Sequence, residues 1–195
     1  MGILNRTRRL RDLMCHRFSA GALSMGVLWF LSGVCIHAKE VSLEYQVKAV
    51  YLFNFAKFIE WPAEAQSGPI TICIAGQNPF GDLLEETLRG EMVNGRPLAM
   101  RVIAVPEPGC HVVFVPQGAA TTTYLRAAQG SHTLTVGETP DFLSQGGIIC
   151  FILESGKVRF QIDSKAAERA ELRISSHLLR LARTPDRRTG CRRRG

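Results

Sequence analysis

The sequence predicts an α/β fold: a single layered domain with a largely parallel sheet, helices on both faces and an antiparallel hairpin at its C-terminal end. Three observations carry this expectation. Short β-branched runs alternate with helix-length segments through links of a few residues, the pattern of an α/β layer architecture. The runs at 70–75 and 148–153 are apolar or β-branched throughout, as strands buried on both faces are. The last run, Lys157-Val158-Arg159-Phe160-Gln161-Ile162-Asp163, instead alternates polar and apolar residues after a Ser155-Gly156 turn, as an edge or hairpin strand does.

Taken in order, residues 40–60 read as a helix with a nearly continuous apolar surface, broken by Lys48, Lys57 and Glu60 and ended by Trp61-Pro62. Residues 63–69 are a polar connection, and the strand at 70–75 is ended by Gly76. Asn78 before Pro79 predicts a helix start, with the Asn side chain as N-cap and a helical run through 82–88. Asn94-Gly95 marks a turn into a strand at 98–105. The Pro-rich link 106–109 leads through Cys110 into a strand at 111–115, followed by a helix at 121–129 and a strand at 133–136. Gly146-Gly147 permits a tight entry into the strand at 148–153, and two helices at 164–170 and 175–182 close the chain.

With 195 residues and 46% apolar content, the chain holds one domain of ordinary size with a real core. Residues 1–38 have the pattern of a signal peptide: Arg6, Arg8, Arg9, Arg11 and Arg17 form a basic front, residues 18–36 carry no formal charge, and Ala38 suits the position before cleavage. The same uncharged stretch is long enough to serve as an uncleaved anchor. Residues 39–182 form the domain, and 183–195 read as a basic, disordered tail. The formal charge of +7 is therefore misleading as a hint of nucleic acid. Leader and tail hold eleven of the 24 basic residues, which leaves 13 basic and 15 acidic residues in the domain, a net charge of −2.

Four cysteines remain after the leader, and Cys191 lies in the tail. Any pair among Cys73, Cys110 and Cys150 can close in an oxidising compartment, and no spacing suggests a metal site. No Walker or G-x-G-x-x-G spacing is present around Gly76-Gln77-Asn78-Pro79-Phe80-Gly81, so that loop reads as a structural turn. His111, His132 and His177 are scattered without a nucleophile or base motif, and no catalytic residue or cofactor is expected.

The densest signal is aromatic. Tyr45, Tyr51, Phe53, Phe55, Phe58 and Trp61 are six of the chain's fifteen aromatic residues. The 3.6-residue period cannot turn Leu52, Phe55, Ala56 and Ile59 to the same narrow face as Val47, Val50, Tyr51, Phe58 and Trp61, so a second face must be covered by core or by a partner. Tyr51, Phe53, Phe55, Phe58 and Trp61 are the expected partner-binding residues, because rings offer large contact area at modest entropic cost.

The run Val47-Lys48-Ala49-Val50-Tyr51-Leu52-Phe53-Asn54-Phe55-Ala56-Lys57-Phe58-Ile59-Glu60-Trp61-Pro62 resembles the opening signature of YfiR-like proteins. Four later segments agree in order: Cys73 to Gly76 with Pro79-Phe80-Gly81, Cys110 to Val115, Leu134 to Val136 with Phe142 and Gly146-Gly147, and Val158 to Asp163 with Ile174 to Ala182. The resemblance implies a periplasmic, non-enzymatic α/β regulator that inhibits an inner-membrane diguanylate cyclase by binding its periplasmic sensor domain, so that cyclic-di-GMP and biofilm formation fall. It also implies a Cys73–Cys110 disulfide, while a second family-type bridge at Cys150 is expected to be absent. The alternative reading is a periplasmic small-ligand-sensing module for another membrane receptor or kinase, and a homodimer is a further possibility. No nucleic-acid partner is expected.

Overall fold

The computed structural model describes residues 41–184. The signal peptide or anchor expected at 1–38 and the tail beyond Thr184 lie outside the described residues.

The elements run α1 (Leu43–Phe58), β1 (Ile59–Glu60), a short 3-10 turn (Ala63–Ala65), β2 (Ile70–Ala75), α2 (Leu83–Leu88), β3 (Met92–Val93), β4 (Arg96–Ile103), β5 (Val112–Val115), α3 (Thr121–Ala127), β6 (Leu134–Gly137), β7 (Ile149–Glu154), β8 (Lys157–Ile162), α4 (Ser164–Arg169), β9 (Arg173–Ile174) and α5 (Ser176–Leu181). Seven strands form one sheet in the order β3-β4-β2-β5-β6-β7-β8. The five inner strands are parallel, whereas β3 and β8 are antiparallel to their neighbours. The expected C-terminal hairpin is β7–β8, with Phe151 opposite Phe160. A separate two-stranded pair joins β1 to β9, and the Ser175 N–H donates to the Phe58 carbonyl at 3.0 Å.

Alternate residues of the parallel strands feed two distinct clusters of buried side chains. Ile70, Ile72 and Ile74 of β2 join Phe114 and Phe151 in the first, to which α1, α2, α4 and α5 contribute Leu52, Leu84, Ala166 and Leu178. Cys73 and Ala75 join Val113, Val115 and Ile152 in the second, with Tyr124 and Leu125 of α3 and the loop residue Phe142. This two-sided use of one strand is the physical reason that the parallel runs are apolar at every position.

Local chemistry sets the boundaries. Asp163 caps α4 by accepting from the Lys165 and Ala166 N–H groups at 2.9 and 3.1 Å, and Ser175 caps α5 by accepting from Leu178 N–H at 3.3 Å. Asn78 does not cap a helix, contrary to the sequence expectation. Its side chain accepts from Phe80 N–H at 2.9 Å and donates to the Gly81 carbonyl at 2.8 Å, holding a turn that buries the Phe80 ring, and α2 begins only at Leu83. The strand expected at 98–105 is instead Arg96–Ile103, because the Asn94-Gly95 turn, both residues at positive φ, starts pairing at once.

Gly146, at φ 98°, makes the turn before β7, but its neighbour has a different task. A Cβ on Gly147 would stand 2.2 Å from the Phe142 ring, and one on Gly137 equally close, so two glycines make the slot that this ring fills. The start of the expected tail is also not free. The Arg183 N–H donates to the Phe160 carbonyl at 2.8 Å along the outer edge of β8, and its guanidinium meets Glu154 at 3.0 Å. That return of the chain is why Gln161, expected on a polar face, is buried.

Candidate docking surface

Everything that makes α1 a fixed platform lies on its inner side. Lys48 is 3% exposed, a position that an ammonium group tolerates only with partners. It has them in Glu44, one turn earlier at 2.6 Å, and in Glu138, immediately after β6. The Glu138 carboxylate also accepts from the Tyr45 hydroxyl at 3.0 Å and from the Gln117 backbone N–H at 2.7 Å, and the Lys48 ammonium lies 4.5 Å from the Tyr45 ring centroid. The first turns of α1 are thereby tied to the carboxyl ends of β5 and β6.

Further along, rings do the same work. Phe55 stacks on Phe151 and meets Phe160 edge-on, and Tyr51 touches Phe55, Phe151 and Phe160 at centroid distances of 5.3–6.0 Å. Beyond the helix, Trp61 sits edge-on to His111. The His111 Nδ1 accepts the Thr71 N–H at 3.2 Å, and its Nε2 lies 3.0 Å from the Ala65 carbonyl and 2.8 Å from an Arg96 nitrogen. Burial pushes the His111 imidazole below its ordinary value; the Ala65 carbonyl opposes this in part and the Arg96 charge adds to it.

Two of the five expected partner-binding residues are therefore core. Phe55 is 0% exposed and Trp61 is 6% exposed, so neither ring is available to a partner. The reason is the wrap of the sheet and of the 62–67 segment around the helix, which gives these rings internal neighbours that the helical period alone does not reveal. Tyr51, Phe53 and Phe58 are half-buried at the core margin. Lys57 lies over the Phe53 ring at 5.2 Å, and Phe58 packs against His177 of α5 at 5.1 Å.

What α1 leaves open is aliphatic. Leu43 is 74%, Val47 36% and Val50 51% exposed, and their i, i+4, i+7 spacing makes one stripe, flanked by Tyr51 and Phe53. The signal for it was present in the helical period, which set Val47 and Val50 apart from Leu52 and Phe55.

Two grooves complete the surface. One of about 820 Å³ lies at the amino ends of β2 and β4, lined by Trp61, Pro62, Gln66, Arg96, Glu171 and Arg173 among others. Another of about 650 Å³ runs past Cys110, His111 and Tyr124. The Cys73–Cys110 disulfide, with Cys110 in the wall of the second groove, joins β2 to the residues entering β5, with Cα atoms 5.7 Å apart. Cys150 of β7 is fully buried in the second cluster, its sulfur 3.5 Å from the Thr139 carbonyl oxygen. Among the described residues no helix is long and apolar enough to cross a membrane, and no group of His, Cys, Asp and Glu could hold a metal ion.

In this mixed α/β domain the first helix is clamped on one face and carries exposed aliphatic residues on the other. The profile of the YfiR/HmsC-like family matches residues 45–183, which is most of the chain, and the chain belongs to that family. No match is found among curated proteins.

Proposed function

We propose that this protein is an exported regulatory binding protein that restrains an inner-membrane diguanylate cyclase by occupying the cyclase's periplasmic sensor domain, lowering cyclic-di-GMP. The observation that carries this reading is the uncovered Leu43–Val47–Val50 stripe on an otherwise locked helix, in a chain of the YfiR/HmsC-like family. Contiguous apolar surface rimmed by polar residues is where partners dock. Binding there favours the partner's inactive arrangement only by as much as the affinity for its two states differs. In this reading Tyr51, Phe53 and Phe58 form the margin of the contact, and catalysis is not part of the protein's task.

The experiment is a pull-down from detergent-solubilised membranes. A diguanylate cyclase is expected with the wild-type protein and not with Val50→Asp. Recovery of a cyclase by both proteins alike would exclude the stripe as the contact.

One observation favours a second reading, a small-ligand-sensing module. The groove beside Trp61 is concave and brings Arg96, Arg173, Glu168 and Glu171 around an apolar floor. A saturable change in Trp61 fluorescence on adding a periplasmic small-molecule extract, lost in Arg173→Ala, would support it.

A further inference from the structure

One strap of chain gives a wall to both grooves. Trp61, Pro62 and Gln66 line the first, and Glu64, Ala65 and Ser67 line the second. Few bonds tie this strap to the sheet. Arg96 of β4 donates to the Ser67 and Gly68 carbonyls at 3.1 and 2.8 Å, and the Ala65 carbonyl lies 3.0 Å from His111 Nε2. The Trp61 indole N–H is buried and has no acceptor among the described residues, so the strap is short of the hydrogen bonding that a settled interior has. His111 stands where the ties meet.

The imidazole is neutral by construction. Its Nδ1 accepts the Thr71 N–H at 3.2 Å, so its one hydrogen sits on Nε2 and is donated to the Ala65 carbonyl. An Arg96 nitrogen lies 2.8 Å from the same Nε2, donor against donor. A second proton can enter only at Nδ1, where it sets N–H against the Thr71 N–H and places a full positive charge beside Arg96. The surroundings offer little to offset that charge. Thr71 and Thr133, from β2 and the approach to β6, are neutral, and Glu64 of the 3-10 turn is exposed. Glu107 is engaged with Arg101 at 3.5 Å, and His132 with Glu171 at 3.6 Å. Among the described residues no carboxylate forms an ion pair with His111.

We propose that His111 is a proton switch: in acid the imidazole takes up its second proton, gives up Thr71 and Arg96, and releases the 62–69 strap, so that both grooves change shape together. Burial lowers the His111 pKa, opposed by the Ala65 carbonyl and aided by the Arg96 charge, which is the sign the switch requires. The closed strap refuses a proton that the released one accepts. Closure is therefore complete above the ordinary 6.5 and weakens as pH falls below it, until the native value is passed. The switch does not depend on which partner α1 meets.

Amide hydrogen exchange of the full-length protein, followed by NMR from about pH 7.5 to about pH 5 and corrected for the intrinsic pH dependence of exchange, tests this. The Thr71 N–H reports the strap and Phe114, in the middle of the sheet, reports the whole domain. Protection at Thr71 is expected to fall by up to about tenfold for each unit of pH below 6.5, while Phe114 stays protected. His111→Gln makes Thr71 protection level across the range, whereas His132→Gln, at the other imidazole in the second groove, leaves the wild-type response intact. Level protection at Thr71 in the wild-type protein, an equal fall at Phe114, a response that survives His111→Gln or one that is lost in His132→Gln would each overturn the proposal.

Discussion

Lys48 illustrates how one residue can decide the use of a whole helix. Read as a break in an apolar run, it suggests a solvated position, yet its ammonium is enclosed between Glu44, Glu138 and the Tyr45 ring. Removing Glu138 leaves the buried ammonium with only the more exposed Glu44, and breaking a buried pair costs about 3–5 kcal/mol. Glu138→Ala also strips acceptors from Tyr45 and Gln117, so a loss of roughly 3 kcal/mol or more in urea unfolding is expected, with a larger loss than for Glu44→Ala at the half-exposed end of the cluster. His111 supplies a pH signature. Its native pKa lies below the ordinary 6.5, so above that pH its contribution to stability is complete. As pH falls below 6.5 the unfolded chain takes up a proton that the native site refuses, and stability declines until the native value is passed. Urea midpoints measured from pH 7.5 downward are expected to fall more steeply for the wild-type protein than for His111→Gln. At Gly147 the constraint is steric: an added methyl must displace the Phe142 ring or its backbone, so Gly147→Ala is expected to lower the melting temperature, whereas Gly90→Ala, with nothing near its missing Cβ, carries only the strain of its positive φ.

At the scale of elements, the buried and exposed faces of α1 lead to opposite expected outcomes. Tyr51→Ala removes a ring that touches three other aromatic side chains and is expected to destabilise the domain by about 2–4 kcal/mol, on the low side of a fully buried ring. Val50→Asp changes an exposed aliphatic residue and is expected to leave the melting temperature within a degree or two while abolishing partner capture. The opposite ranking, with Val50→Asp unfolding the protein, would place the stripe in the core. The Cys73–Cys110 bridge acts on a different pair of elements. Its sequence separation of 37 closes a loop that, in the chain-entropy model, stabilises by about 4 kcal/mol. The Cys73→Ser/Cys110→Ser double variant is expected to lose a comparable amount in denaturant titration, a large part of a typical domain's total stability of about 5–15 kcal/mol.

For the whole molecule, the α/β class, the order of the longer elements and the antiparallel β7–β8 hairpin were legible because each rests on local pattern, β-branched runs, turn residues and a switch from period 3.6 to period 2, whereas the two-residue strands β1, β3 and β9 carry no such pattern. The cap at Asn78 was misread because an Asn-Pro pair suits both a helix start and a tight turn, and burial of Phe80, a long-range contact, chose the turn. The exposed face of α1 was half legible. The helical period demanded a second face on α1, but ring size was no guide to which residues occupy it, since Phe55 and Trp61 are claimed by β7, β8 and His111 from distant parts of the chain. Glu138, which holds Lys48, gave no local sign at all, because its partners lie 21 and 90 residues away.

The central claim is that the aliphatic back of α1 restrains a membrane diguanylate cyclase from outside the cytosol. Cyclic-di-GMP synthesis by that cyclase in oriented membrane vesicles, with the protein supplied on the sensor side, measures it most directly. Wild-type protein is expected to suppress synthesis, and Val50→Asp, folded to the same melting temperature, is expected to leave it at the rate seen without the protein. Equal suppression by both, or no suppression by either, would contradict the account.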